Sequence, residues 1–170
     1  MACSGGWDWA PYSDSYSQGW GDKGPVATRS FTKGIWRSVY TTTVASAAIT
    51  HLVPQVFYNG AYPTTPLTDA SNGGFTVSVR VHLWAPKALT GVLAIAGGWA
   101  GATASAQVTL PAGDSNTTLT LTAPAGSVSL WWPAGLGDHP LYPVNATFTP
   151  AAAPAAPVTT ERRIGFRYVV

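Results

Sequence analysis

The chain has 170 residues, a length typical of one domain or of one domain with part of another. Only 9% of the residues are charged, against roughly 25% in ordinary soluble domains, and the net charge is +2. The longest basic run is Arg162-Arg163, so we expect no nucleic-acid partner, which would need a clustered cationic face. The single cysteine, Cys3, excludes an intrachain disulfide and a cysteine cluster for metal. We expect no membrane partner, because no apolar stretch approaches the ~20 residues of a span.

Residues 1–33 carry no strand pattern and are rich in Gly, Ser, Tyr and Trp. Beyond them helical periodicity is almost absent, and short alternating or β-branched runs recur between turn residues. In Phe75–Leu83, apolar side chains alternate with polar ones, as in a half-buried strand. The runs predict nine strands: Ile35–Thr42, Ile49–Tyr58, Phe75–Leu83, Val92–Ala96, Ala102–Leu110, Asn116–Thr122, Ser127–Trp132, Tyr142–Thr149 and Arg162–Val169. This spacing favours an antiparallel β-sandwich.

Segment Thr149–Thr160 consists of Thr, Pro, Ala, Val and little else, which is the composition of a linker. It lies between two predicted strands, however. Its sequence therefore predicts either a linker or a long, poorly ordered loop inside the sandwich.

Three blocks of sequence together point to a known family. The first is Gly6-Trp7-Asp8-Trp9-Ala10-Pro11, followed by Gly34-Ile35-Trp36-Arg37-Ser38-Val39. The second is Leu130-Trp131-Trp132-Pro133-Ala134-Gly135-Leu136-Gly137-Asp138-His139-Pro140-Leu141-Tyr142, and the third is Arg162-Arg163-Ile164-Gly165-Phe166-Arg167. In this order, the blocks resemble the non-catalytic front part of β-mannosidases of glycoside hydrolase family 2. The chain departs from the family at Ala10, where the family has Gly, and in a longer stretch after Tyr12.

The resemblance implies an all-β fold with two parts. Residues 1–43 would be the C-terminal tail of an incomplete jelly-roll domain, and residues 44–170 an immunoglobulin-like β-sandwich. In the family a catalytic (β/α)₈ barrel follows, and it would be the partner of this fragment. The parent family is often lysosomal or secreted, but the start of this chain lacks a signal-peptide pattern, and the compartment stays open.

The resemblance also implies a substrate site in the first block. In the family, the aspartate matching Asp8 binds hydroxyls of the terminal mannose, and neighbouring tryptophan, here Trp7 and Trp9, forms a wall. A carboxylate accepting two hydroxyl hydrogen bonds and an indole covering a pyranose face suit that role. The alternative is that the two indoles are packing anchors and Asp8 caps a turn.

Catalysis by this chain alone is not expected. Retaining glycoside hydrolysis needs two carboxyl groups ~5–5.5 Å apart, which in the family are both glutamates of the barrel. Here the only glutamate is Glu161, which we interpret as an ion-pair partner of the adjacent arginines. No cofactor is expected, and His51, His82 and His139 share no metal-ligand spacing.

The remaining tryptophans have a mainly structural interpretation. Trp131 and Trp132 precede a proline and a glycine-rich turn, so indole burial would hold an edge of the sandwich; sugar stacking is the alternative. Trp84 precedes Pro86 and is interpreted in the same way. Two rival functions stay open: a stand-alone carbohydrate-binding or adhesion module, and a plain structural spacer.

Overall fold

The computed structural model describes residues 38–39, 41–61, 63–154 and 156–167. Their regular elements are seven strands: β1 (Ala48–Tyr58), β2 (Phe75–Ala85), β3 (Leu89–Gly97), β4 (Thr103–Leu110), β5 (Gly113–Ala123), β6 (Tyr142–Pro150) and β7 (Val158–Ile164). Sheet A has the order β1-β2-β5 and sheet B the order β4-β3-β6-β7, and all of these pairs are antiparallel. The predicted all-β antiparallel sandwich is confirmed. None of the described residues forms a helix long and apolar enough to cross a bilayer.

The sheet that the fourth strand joins distinguishes the types of immunoglobulin-like sandwich. In constant-type immunoglobulin domains the fourth strand joins the sheet of the first, second and fifth strands. Here β4 instead pairs with β3, with Leu93 opposite Ala106. The sandwich is therefore a three-on-four arrangement, in which β1 packs across from β7 and β5 across from β4.

The core lies between the centres of the two sheets. On β2, the alternating apolar side chains Phe75, Val77, Val79, Val81 and Leu83 are all fully buried. They face the apolar side chains of the central strands of sheet B: Leu93 and Ile95 on β3, and Val144, Ala146 and Phe148 on β6. Side chains of a strand alternate between its two faces with a period of two, so the apolar positions of Phe75–Leu83 share one face. That face is buried, as predicted.

An aromatic cluster fills one end of this core. Phe166 lies at its centre, with ring centroids 5.1 Å from Phe75, 5.1 Å from Trp99 and 5.4 Å from Tyr142. The indole N–H of Trp99 donates to the carbonyl oxygen of Thr122 at 2.9 Å, which links the β3–β4 turn of sheet B to sheet A. The cluster therefore joins the two sheets through both apolar and polar contacts.

Three strand predictions need correction or lie partly outside the described residues. The predicted strand Ser127–Trp132 is wrong, because this segment makes only one parallel bridge, from Leu130 to Phe166. Its backbone bonds elsewhere: Leu130 N–H donates to the carboxylate of Asp69 at 2.7 Å instead of joining a ladder. The predicted strand Arg162–Val169 begins earlier and ends at Ile164. The described part of Ile35–Thr42 (residues 38, 39, 41 and 42) contains no strand.

Segment Thr149–Thr160 belongs to the sandwich. Strand β6 continues to Pro150, β7 starts at Val158, and Phe148 pairs with Val158. Residues 151–157 therefore connect two neighbouring antiparallel strands of sheet B. The linker interpretation is wrong, because the cross-strand pairs on either side hold this connection within one sheet.

Candidate functional site

The predicted substrate-binding residues Trp7, Asp8 and Trp9 lie outside the described residues, as does the predicted jelly-roll tail up to residue 37. Their roles stay predictions, and so does the domain boundary between residues 43 and 44. The described residues from Thr43 onward belong to one compact unit. They contain the second and third sequence blocks.

The structure brings these two blocks together at one end of the sandwich. Trp131 N–H donates to the carbonyl oxygen of Phe166 at 2.8 Å, next to the bridge between Leu130 and Phe166. Gly165 lies against the Trp131 side chain, where an added Cβ would be 3.0 Å from its nearest atoms. Residues more than thirty positions apart in the sequence thus form one surface.

We call this surface the Trp131 end and define it by Trp131, His139, Leu141, Gly165 and Arg167. The guanidinium carbon of Arg167 lies 5.1 Å from the centroid of the Trp131 ring, and the His139 ring packs edge-on at 5.3 Å. A cation over an indole at a solvent-accessible site contributes about 0.5–1 kcal/mol. Arg167 is exposed and Leu141 is 49% exposed, so the surface combines apolar and cationic groups facing solvent.

The Trp131 end lines an open cleft of ≈ 530 Å³. Its other walls are Pro54 and Val56 of β1 and Ile164 of β7. The edge strands of both sheets therefore contribute to it, and most of its lining residues are apolar, although about half of its exposed surface is polar. The chemistry of this cleft suits packing against another apolar surface better than proton transfer.

Local sequence explains how the second block reaches this position. After Pro133, the N–H of Leu136 bonds to the Pro133 carbonyl at 3.0 Å, and Gly135 takes a φ of 84°, which favours glycine. The N–H of Trp132 then bonds to the carbonyl of Asp138 at 2.9 Å. The Trp132 indole packs over Gly137, where a Cβ would lie 2.7 Å from the ring.

The tryptophans divide in their roles. Trp132 packs against the core and Trp131 is half-buried, which agrees with the structural interpretation of this pair. Trp84 is different: it lies on the outer face of sheet A opposite Asp114 and is 36% exposed. The interpretation of Trp84 as a buried edge anchor is therefore wrong. Trp99, which the sequence reasoning did not single out, is the tryptophan that joins the sheets.

The ionisable residues do not form a catalytic constellation in the described part of the chain. The four described carboxylates, Asp69, Asp114, Asp138 and Glu161, lie on four separate segments of the fold. Glu161 is exposed on β7 opposite Asn145, and among the described residues it has no ion-pair partner, so that interpretation is wrong. The adjacent arginines are also exposed, and an ion pair between exposed side chains gains too little free energy to hold them against Glu161.

Two histidines that are distant in the sequence become neighbours. His51 of β1 and His82 of β2 are cross-strand partners with ring centroids 5.9 Å apart. Their positions in the sequence share no metal-ligand spacing, because only the strand register pairs them. In the described residues, no group of three or more His, Cys, Asp or Glu side chains is arranged to hold a metal ion.

Comparison with solved structures gives several matches for this sandwich. The chain is similar to a GH2 β-galacturonidase from Eisenbergiella tayi bound to galacturonate, with 16% identity and a TM-score of 0.52 over 75% of this chain and 20% of that one. It is also similar to a calcium-binding mutant of Bacteroides uniformis β-glucuronidase 2, with 16% identity and a TM-score of 0.54 over 72% of this chain and 15% of that one. The likeness is one of fold.

The chain spans about a fifth of the length of these glycosidases or less. No family model matches it, and no curated protein sequence matches it either. The fold comparison therefore supports a sandwich of the kind found within much longer glycosidases, at an identity too low to carry over their substrates.

Proposed function

We propose that this chain is a non-catalytic portion of a family 2 glycoside hydrolase, and more narrowly of a retaining β-mannosidase. The contact between the second and third sequence blocks carries this proposal. Those blocks resemble the β-mannosidase pattern, and they meet in the Leu130–Phe166 bridge and in the stacking of Arg167 on Trp131. The likeness in fold to parts of longer glycosidases supports it further.

The proposed role has two parts. The Trp131 end would support a catalytic barrel, since it offers an open cleft lined mostly by apolar residues and an exposed Leu141 beside the Trp131 indole. Asp8, with Trp7 and Trp9, would be donated to the first sugar subsite as a ligand for the terminal β-mannose. The two catalytic glutamates would come from the barrel, and this chain by itself would be inactive.

The test uses the enzyme product that contains both this chain and a barrel, assayed with nitrophenyl glycosides. We expect turnover of the β-mannoside and little turnover of the β-glucuronide or β-galacturonide. Asp8→Asn should lower kcat/KM for the mannoside about 10- to 150-fold, the equivalent of the ~1.5–3 kcal/mol carried by hydrogen bonds to a charged group. Asp114→Asn, a change on the outer face of sheet A, serves as the matched control.

Two results would count against the proposal. Preference for a uronide over the mannoside would overturn the β-mannosidase assignment and keep the family. Equal kcat/KM in Asp8→Asn and Asp114→Asn would overturn the role of Asp8 in the sugar subsite. The 170-residue chain alone should release no nitrophenol above a mock preparation.

A second candidate is a carbohydrate-binding or adhesion module, favoured by one observation. Trp84 is exposed on the outer face of sheet A, beside His82 and Asp114, and exposed indoles are suited to stacking on sugars. NMR titration of the 170-residue chain with mannose separates the candidates. Shifts abolished by Trp84→Ala or Asp8→Ala would favour the module, and their absence would favour the domain of a longer enzyme.

A further inference from the structure

A β-bulge in strand β1 sets the position of His51. Before the bulge Ile49 lies opposite Leu83, and after it His51 lies opposite His82, so Thr50 is the extra residue. If the first register continued, Thr50 would face His82 and His51 would face Val81, whose side chain is fully buried. The bulge therefore turns His51 away from the core and towards the other imidazole. Bulges commonly re-aim a side chain in this way.

The two imidazoles lie in an accessible position. The rings meet edge to face, with an interplanar angle of 79° and centroids 5.9 Å apart. His51 is exposed on the edge strand and His82 is half-buried on the central strand. The Thr50 hydroxyl donates to the carbonyl oxygen of His82 at 3.3 Å, which fastens the bulge to β2. The backbone at both positions is thus held by hydrogen bonds, and the exposed His51 ring is free to change its rotamer.

From this geometry we propose that His51 and His82 chelate a divalent transition-metal ion, one ring nitrogen from each. With metal–nitrogen bonds of ~2.0–2.1 Å, two imidazoles on one ion have centroids roughly 5 Å apart. The observed pair needs to close by about 1 Å, which a change of rotamer at the exposed His51 supplies. This pairing does not depend on the proposed sugar-related function.

The groups around the two imidazoles bear on the choice of metal ion. The exposed amide of Asn116 lies opposite His82 on β5 and offers a third, weaker oxygen donor. Arg80, opposite Val53 on the same face, adds positive charge that opposes a cation, whereas Asp114 opposite Trp84 adds negative charge. Two imidazoles with water in the remaining positions favour Cu²⁺ over Ni²⁺ and Zn²⁺. The site is a surface chelate and differs from a four-ligand structural zinc centre.

Chelation would join the edge strand β1 to the central strand β2, and it requires the folded state, because only folding brings His51 and His82 together. A ligand that binds the folded state and not the unfolded state raises the midpoint temperature of unfolding. With free ion at about 100 times the dissociation constant, the midpoint should rise by about 5–10 °C. The shift should vanish on addition of a strong chelator such as EDTA.

The experiment uses the full 170-residue chain with Cys3→Ser, because a free thiol binds or reduces copper. Cu²⁺ is titrated at about pH 7.5, where ordinary imidazoles are neutral, and binding is followed by calorimetry and by electron paramagnetic resonance. We expect one ion per chain with splitting from two nitrogen ligands. His51→Asn and His82→Asn should each weaken binding about tenfold or more, since one imidazole of the chelate is lost.

His139→Asn is the matched control, because His139 packs against Trp131 and has no histidine as its cross-strand partner. It should leave the affinity unchanged. Undiminished Cu²⁺ affinity in His51→Asn would overturn the proposal, and so would equal losses in His51→Asn and His139→Asn. His51 is exposed on an edge strand, so this variant should fold and the result should be decisive even if His82→Asn is unstable.

Discussion

Replacing Phe166 by alanine tests whether the aromatic cluster holds the two sheets together. Its ring is fully buried and lies 5.1–5.4 Å from three other aromatic rings. Truncating a buried phenylalanine costs about 3–5 kcal/mol, and each aromatic pair contributes about 0.5–1.5 kcal/mol of that. A typical domain is stable by only 5–15 kcal/mol. We therefore expect Phe166→Ala to remove at least about a fifth of the free energy of unfolding.

Urea unfolding followed by far-UV circular dichroism measures this loss. At a slope of about 2 kcal/mol per molar urea, a loss of about 4 kcal/mol lowers the midpoint by about 2 M. The matched control is Phe57→Ala, because Phe57 is the same residue type but is 52% exposed on sheet A. The control should cost under about 1 kcal/mol. Equal losses of unfolding free energy in the two variants would refute the argument, because a buried ring in the cluster would then contribute no more than an exposed phenylalanine.

Three further changes are testable by the same unfolding assay. Ser115→Ala should raise stability by about 1 kcal/mol, since the buried Ser115 hydroxyl has no hydrogen-bond partner; a decrease would show that the hydroxyl is satisfied. Asp69→Ala should cost about 1–2 kcal/mol by removing the acceptor of the 2.7 Å bond from Leu130 N–H, and Asp69→Asn, which keeps an acceptor, should cost less; the reverse order would exclude this bond. Gly74→Ala should cost more than Gly126→Ala, because both have positive φ but a Cβ at Gly74 would lie 2.6 Å from a backbone carbonyl of β5; equal costs would contradict the steric argument.

Most of the fold could be predicted from alternation alone. Phe75–Leu83 and Tyr142–Thr149 alternate between apolar and small or polar residues, and both form central strands. Phe75–Leu83 is buried on the face that its alternation predicts. Ser127–Trp132 also contains apolar and polar residues but is not a strand. The Leu130 N–H of this segment donates to the Asp69 side chain, and the segment forms only one isolated bridge, to Phe166. Local pattern indicates which residues favour extended backbone, whereas tertiary partners decide whether a ladder forms.

The site could be predicted only in part, for a related reason. The resemblance rests on three blocks, of which the second and third are described by the structure. Their meeting at the Trp131 end depends on the fold. The pairing of His51 with His82 depends on one inserted residue, Thr50, and a shift of one residue moves a side chain to the other face. Neither the bulge nor the strand register has a signal in sequence composition.

The transcript that encodes this chain offers the most direct test of the central claim that the sandwich is a non-catalytic part of a family 2 glycosidase. We expect its reading frame to continue past Val170 into a (β/α)₈ barrel containing two glutamates ~5–5.5 Å apart in the folded enzyme. We expect the protein it produces to hydrolyse a nitrophenyl β-mannoside. A transcript that stops after Val170, together with a stable 170-residue product that binds mannose, would contradict the claim and favour the carbohydrate-binding module.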